Sequence, residues 1–292
     1  MISYYLLIAL LPLASLVVAV PGVRAQKPAE TPANPENIAA ALRLTVAAAA
    51  EYEIKVGDDD KPLDLLREPV LKWSNPDRGE VHGNVFVWTR EGRPLVVGSL
   101  FKWFTPHTHM SHEFHSLAEG PLSGKFHGKP VWKAGEAGVR FEDLPGAPAP
   151  AANDAQRLLQ MKQLAKDFSG AKTERDDGNV VVLRLLPQPI HRYAVPKKDI
   201  LTGGLFTLVH GTDPEIFVLI EARGKDAASA RWQYAVTRMT SSGLRLRLRD
   251  KEVWAAEIIR GRQVTDPTLP YTTFYFNEVP DFLKDALAKP KP

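Results

Sequence analysis

The stretch Glu80-Val81-His82-Gly83-Asn84-Val85-Phe86-Val87-Trp88-Thr89-Arg90 decides the fold class. Val81, Gly83, Val85 and Val87 alternate with His82, Asn84, Phe86 and Trp88, a period of two that belongs to a strand. Glu91-Gly92-Arg93 is a turn, and Leu95 to Phe104 returns with Phe101 and Trp103 on one face. The two runs predict a β-hairpin. Short strands are expected on either side of glycine punctuation, at Glu113–Ala118, Lys125–Phe126, Pro130–Trp132 and Gly138–Phe141. Together they read as an antiparallel meander.

Upstream, Asn34-Pro35-Glu36 has the form of a helix start: a capping Asn, Pro in the first turn, and an acid near the positive end. The helix is expected to run from Pro35 to about Ala50. Downstream, Pro145 to Pro150 reads as a linker. Asn153 or Asp154 is the cap of a second helix, with Leu158, Met161, Ala165 and Phe168 at helical spacing and Gly170 closing it. Strands are then predicted at Val180–Leu186, Leu205–Val209, Ile216–Ile220, Arg231–Met239, Leu244–Leu248, Val253–Ile259 and Tyr271–Phe276. Ile216 to Ile220 is apolar throughout and should be covered on both faces. No internal repeat with a clear period emerges.

These elements predict a mainly β (α+β) fold, an antiparallel β-sandwich or partly closed barrel with two peripheral helices. The expected organisation is a helix plus meander over 35–142, a Pro/Ala linker over 143–152, a helix plus antiparallel strands over 153–276, and a tail over 277–292. The two strand-rich parts can form one domain.

Tyr4 to Val20 is an uncharged apolar run ended by Pro21-Gly22, and Val23-Arg24-Ala25 suits a signal peptidase. An export signal over 1–25 and a flexible leader over 26–34 are expected, with a retained anchor as the competing reading. The rest of the chain holds no apolar run long enough to span a bilayer. A soluble protein of the periplasm or exterior is therefore anticipated. There is no cysteine, so there are no disulfides and no thiolate metal site. A formal charge of +3 is too small to argue for nucleic acid.

The densest chemical feature is Thr105-Pro106-His107-Thr108-His109-Met110-Ser111-His112-Glu113-Phe114-His115. Imidazoles and a carboxylate suit zinc, copper, nickel, manganese or iron. His107, His109, His112, Glu113 and His115 are the candidate ligands of a transition metal ion. On a strand, His107 and His109 point one way, as do Glu113 and His115, but all four histidines cannot share one face. Surface histidines in a turn are the plainer alternative.

His107, His109, Glu113 and Gly120 keep the spacing of the first cupin motif, and Ala137-Gly138-Val139-Arg140-Phe141 with Pro145-Gly146 resembles the second. That resemblance implies a metal-dependent protein or enzyme. It departs from the pattern at Phe101, where a glycine is expected, and over Ala149 to Asn153, which holds no histidine. Across Leu65 to Phe276 the chain is similar to a group of exported bacterial proteins of unknown function. The stretches that carry this are Gly79-Glu80-Val81-His82-Gly83, Trp88-Thr89, His112 to Leu117, Gly211-Thr212-Asp213-Pro214-Glu215 and Trp232-Gln233-Tyr234-Ala235. It implies export and no particular activity.

No nucleophile elbow, phosphate loop or dinucleotide fingerprint is present, and no catalytic or cofactor-binding residue is nominated. His112-Glu113-Phe114-His115 is one residue short of the zinc-protease helix motif. Leu244, Leu246 and Leu248 alternate with Arg245, Arg247 and Arg249, which reads as the wet face of an outer strand or a docking ladder for an anionic polymer. Trp88, Trp103, Trp132 and Trp232 fill a sheet's buried face or form a sugar-stacking platform. The leading functional expectation is a non-catalytic binding or interaction module for a small molecule, polysaccharide or protein. Metal binding through His107–His115 and carbohydrate or envelope-polymer binding are its rivals.

Overall fold

The computed structural model describes residues 34–287. The predicted export signal, nearly all of the leader and the end of the tail lie outside these residues. The fold is mainly β, built from antiparallel sheets that curl around helices.

The first half runs α1 (Pro35–Ala50), β1 (Tyr52–Val56), β2 (Asp64–Leu65), β3 (Leu71–Ser74), a 3-10 turn at Pro76–Arg78, β4 (Glu80–Arg90), β5 (Arg93–Thr105), β6 (Met110–Ser116), β7 (Leu122–Phe126) and β8 (Lys129–Ala134). After β9 (Glu142–Asp143) the same order returns: α2 (Asp154–Ala165), β10 (Phe168–Thr173), β11 (Val180–Leu185), β12 (His191–Val195), a 3-10 turn at Pro196–Lys198, β13 (Ile200–His210), β14 (Asp213–Arg223), β15 (Arg231–Arg238), β16 (Gly243–Leu248) and β17 (Lys251–Ala256). β18 (Tyr271–Phe276) and the short α3 (Lys284–Leu287) follow.

The chain is thus an internal duplication, which corrects the expectation of no repeat. The two 3-10 turns, and the starts of both strands of each central hairpin, lie 120 positions apart. The strand order β17-β16-β10-β11-β13-β14-β15 has its counterpart in β8-β7-β1 and β2-β4-β5-β6. In the second half the path is one hydrogen-bonded sheet. In the first it breaks between β1 and β2, where Leu63 N still donates to Ile54 O at 2.7 Å. Both central hairpins shift register at matching places, Trp88/Thr89 and Leu208/Val209, so the bulge is part of the repeat.

Each half wraps its sheet around its own helix. Asn34 caps α1 by accepting from Glu36 N at 3.0 Å, and Asn153 caps α2 by accepting from Gln156 N at 2.9 Å. Leu44, Ala48 and Ala49 of α1 meet Phe86, Trp88, Val96 and Phe114, while Met161, Leu164 and Ala165 of α2 meet Phe206, Leu208, Ile216 and Val218. α2 ends at Ala165, so Phe168 and Gly170 belong to β10 rather than to the helix. The other faces of the two hairpins pack against each other through Val81, Val85, Val87, Val97, Leu205, Phe217 and Leu219. β4, β5, β13 and β14 are therefore covered on both sides, which explains their near-continuous apolar runs.

The contact between the halves is isologous. The turn of one hairpin reaches the third strand of the other half, as His191 Nε2 meets Gly92 O at 2.8 Å and Ser74 N donates to Thr212 Oγ1 at 2.9 Å. Gly83 and Gly203 are matched too. A Cβ on Gly83 would lie 2.1 Å from the Trp73 ring, and one on Gly203 would lie 2.4 Å from the Tyr193 ring. Gly138–Phe141, expected as a strand, is irregular, and the paired residues there are Glu142 and Asp143.

Candidate functional site

One edge of the contact between the halves opens into a recess of about 590 Å³. That is within the range of small-molecule sites. Its floor comes from both halves. The first contributes Asn75 and Arg78 around the 3-10 turn, with Ser111 and Glu113 on β6; the second contributes Lys172, Glu174, His210, Asp213 and Glu215. Side-chain alternation on β6 decides which residues reach it: Ser111 and Glu113 face the recess, while His112 and Phe114 face the α1 core.

Lys172 and Glu215 are buried and ion-paired, and Lys172 Nζ also meets Glu174 Oε1 at 2.9 Å and His210 Nδ1 at 3.2 Å. Arg78 is paired with Glu174. Burial opposes the Arg78 charge, yet Glu174, Glu215 and Asp213 hold it above its ordinary value. Burial likewise works against the Glu174 charge, but Lys172 and Arg78 bring its carboxyl down. Burial pushes Glu215 up, against the pull of Lys172.

Two other carboxyls are held by neutral donors. Tyr271 OH donates to Glu113 Oε1, and Asn75 Nδ2 donates to Asp213 Oδ2 at 3.2 Å. Burial raises Glu113 from an ordinary 4.5 to about 8, the Tyr271 hydrogen bond opposing it and Glu215 adding to it. Burial, then the charge of Glu215, raises Asp213 well above the carboxylate range. At neutral pH Glu113 is a largely protonated acid. Ser111 Oγ, buried on the same face of β6, has no hydrogen-bond partner among the described residues.

The mouth is aromatic. The rings of Trp103 and His107 lie 5.2 Å apart, those of Trp103 and His109 5.8 Å, and those of His109 and Tyr275 6.1 Å. Burial, then His107 and Lys102, lowers the pKa of His109. Lys102 donates to Trp103 O at 2.7 Å and to Thr108 O, which pins the connection carrying both histidines. Trp73 and Phe101 continue the aromatic lining inward, with ring centroids 5.2 Å apart.

The sequence-predicted ligands are thus divided. His107, His109 and Glu113 share the recess, and the two histidine rings are 5.6 Å apart. His112 is fully buried elsewhere, its Nδ1 2.7 Å from Tyr52 OH, and burial lowers its pKa to about 3. His115 lies against the Tyr271 ring with Nδ1 2.8 Å from Ser116 O, and burial lowers its pKa to about 4. Among the described residues, no three His, Asp or Glu side chains converge into a group that would hold a metal ion. Asp213, Glu215, Lys172, Arg78 and Tyr271 were not singled out from sequence. The quoted run Gly211-Thr212-Asp213-Pro214-Glu215 held the signal, since its two acids flank a proline at the start of an apolar strand.

Three of the named tryptophans, Trp88, Trp132 and Trp232, are core residues, and Trp103 lines the recess. Of the ladder arginines, Arg245 and Arg247 sit on the wet face of β16 and Arg249 in the turn just beyond it. Arg245 pairs with Glu252 at 3.0 Å, Arg249 with Asp167 at 3.0 Å, and Arg247 donates to Asp250 O. No helix among the described residues is long and apolar enough to cross a membrane. No family model matches the chain, nor does any curated protein or solved structure.

Proposed function

We propose that the chain is an exported binding protein whose small-molecule ligand seats in the recess between its two halves. One observation carries this reading. The duplication creates a second, equivalent position at the opposite edge of the contact, and there the charges are closed on one another. Arg93, the counterpart of Asp213, meets Glu221 Oε1 at 2.8 Å, and Arg223 Nε meets Glu221 Oε2 at 2.5 Å. Both arginines reach Glu119, and Tyr193, the counterpart of Trp73, donates to Glu221 Oε1 at 2.7 Å. Arg223 also stacks 3.6 Å from the centroid of the Phe141 ring. Where the twin has Leu95 and Ala235, the recess has Glu215 and Glu113. The fold does not need carboxyls at those positions, and drawing an acid out of water, whether paired as Glu215 is with Lys172 or held by a phenol as Glu113 is by Tyr271, costs stability relative to the apolar residues of the twin. Residues retained at such a cost are those of a ligand site.

The test is a small-molecule screen by thermal unfolding. A ligand at a hundred times its dissociation constant stabilises by about 2.7 kcal/mol. Ser241→Trp, at the recess wall, should abolish the shift while leaving the unliganded midpoint unchanged. Hits that stabilise this variant as well as the wild type would remove the recess as the site.

A further inference from the structure

We propose that the recess takes an organic cation, a small amine whose ammonium sits between Glu113 and Asp213. The proposal rests on the recess being the ligand site and names the class of ligand. Lys172 and Arg78, the cations of the floor, already pair with Glu215 and Glu174. Glu113 and Asp213 have only a phenol and an amide as donors, and among the described residues neither forms an ion pair. The site therefore offers two acidic groups with no cation in direct contact with either, since Arg78, Arg238 and Lys172 act on them only through space. The buried Ser111 Oγ is a third acceptor without a partner and lines the same recess. An ammonium has three N–H donors and no acceptor, which matches this set of groups. Trp73, Phe101, Trp103 and Tyr275 supply ring faces for the carbon skeleton and for cation–π attraction along the way in. A neutral polyol gains nothing from ionisation of the acid pair, whereas an ammonium does. An anion would find the floor cations already paired and would meet Asp77, Asp176 and Asp177 around the recess, of which Asp77 faces His210 and Asp176 faces Arg175.

Amine binding draws a proton off Glu113, because a neighbouring cation favours the ionised form. The groups facing Glu113 are Tyr271 and Tyr275 on β18, Glu215 and Asp213 on β14, Arg238 on β15 and Arg78 in the 3-10 turn. The last two are held by other partners, Arg238 by the carbonyls of Thr240, Ser242 and Glu257 and Arg78 by Glu174.

The experiment is isothermal titration calorimetry of the full chain with cadaverine, agmatine, ethanolamine and glucosamine. The uncharged partners 1,5-pentanediol and glucose serve as controls. At least one amine should bind, its uncharged analogue at least ten-fold more weakly. Glu113→Gln, which keeps an acceptor for Tyr271, and Asp213→Asn should each weaken the amine at least ten-fold. Titration in two buffers of different ionisation enthalpy should show release of up to about one proton at pH 7 with wild type and less with Glu113→Gln. If pentanediol or glucose binds as tightly as the amines, or both acid variants bind them normally while Ser241→Trp does not, the cation assignment falls and the recess stands. If none of the four amines binds, the cation assignment also falls. If Ser241→Trp binds them as wild type does, the recess itself is refuted.

Discussion

Replacing Glu113 by Gln should make the protein more stable at pH 8 than the wild type, and by an amount that depends on pH in one direction only. The Glu113 carboxyl titrates near 8 in the folded chain, against 4.5 when free of its surroundings. Below pH 4.5 it is protonated in both states and contributes no difference. Between 4.5 and 8 the unfolded chain ionises and the folded one does not, so the wild type loses about 1.4 kcal/mol per pH unit relative to the variant. Above 8 both states are ionised and the gap is constant. The full span corresponds to about 5 kcal/mol, an upper figure because water entering the recess softens the burial. Urea unfolding of both proteins at pH 4, 6, 7 and 9 reads it directly. Glutamine keeps an oxygen for Tyr271 OH, so packing is little altered. If the two stability curves run parallel across this range, Glu113 is an ordinary exposed acid and the reading of the recess floor is wrong.

Gly83→Ala should cost about 1–3 kcal/mol, since its new methyl would collide with the Trp73 ring at 2.1 Å, and Gly203→Ala should behave alike at Tyr193; urea midpoints test both. Glu221→Ala leaves the partly buried Arg93 and Arg223 with Glu119 as their one remaining carboxylate and should cost about 2–3 kcal/mol, whereas Arg245→Ala on the wet face should change stability by under about 0.5 kcal/mol. Equal effects of these two substitutions would contradict the contrast between closed twin and wet ladder. His112 is held neutral by burial, so stability should fall as the pH drops below about 6.5, where the unfolded histidine takes up a proton and the folded one does not. His112→Leu should flatten that acid limb in pH-dependent thermal unfolding.

Much of the architecture is visible in residue patterns. The period-two runs of β4 and β5, the apolar Ile216–Ile220 and the Asn34 and Asn153 caps are local signals, and each element they announce is present. β1, β3, β10 and β12 escaped because they are short, and β1 and β10 also pair far along the chain, Tyr52 opposite Phe126 and Phe168 opposite Leu248. Phe168 fell at helical spacing by coincidence, and the turn of backbone after Ala165 sends it into a strand. The duplication is hidden because few identities survive at its period, among them Pro69/Pro189, Pro76/Pro196, Gly83/Gly203, Phe86/Phe206 and Pro94/Pro214. Pro76 and Pro196 open the 3-10 turns, Gly83 and Gly203 admit a ring, and Phe86 and Phe206 pack in the core of their own half. The candidate site was half legible. Clustering along the chain drew the eye to His107–His115, but strand alternation turns His112 away, and the acids that complete the floor come from 100 residues further on, beside a hairpin turn.

Because both hairpins are covered on two sides, neither half is self-sufficient. A chain cut near Glu142 would carry Val81, Val85, Val87 and Val97 on an uncovered sheet. Such a fragment could satisfy that surface only by meeting another copy of itself, in the same two-fold manner as the halves now meet. Within one polypeptide the two edges of that pairing need not be identical: one carries Glu113 and Glu215 around an open recess, and its opposite is closed by Glu221 with Arg93 and Arg223.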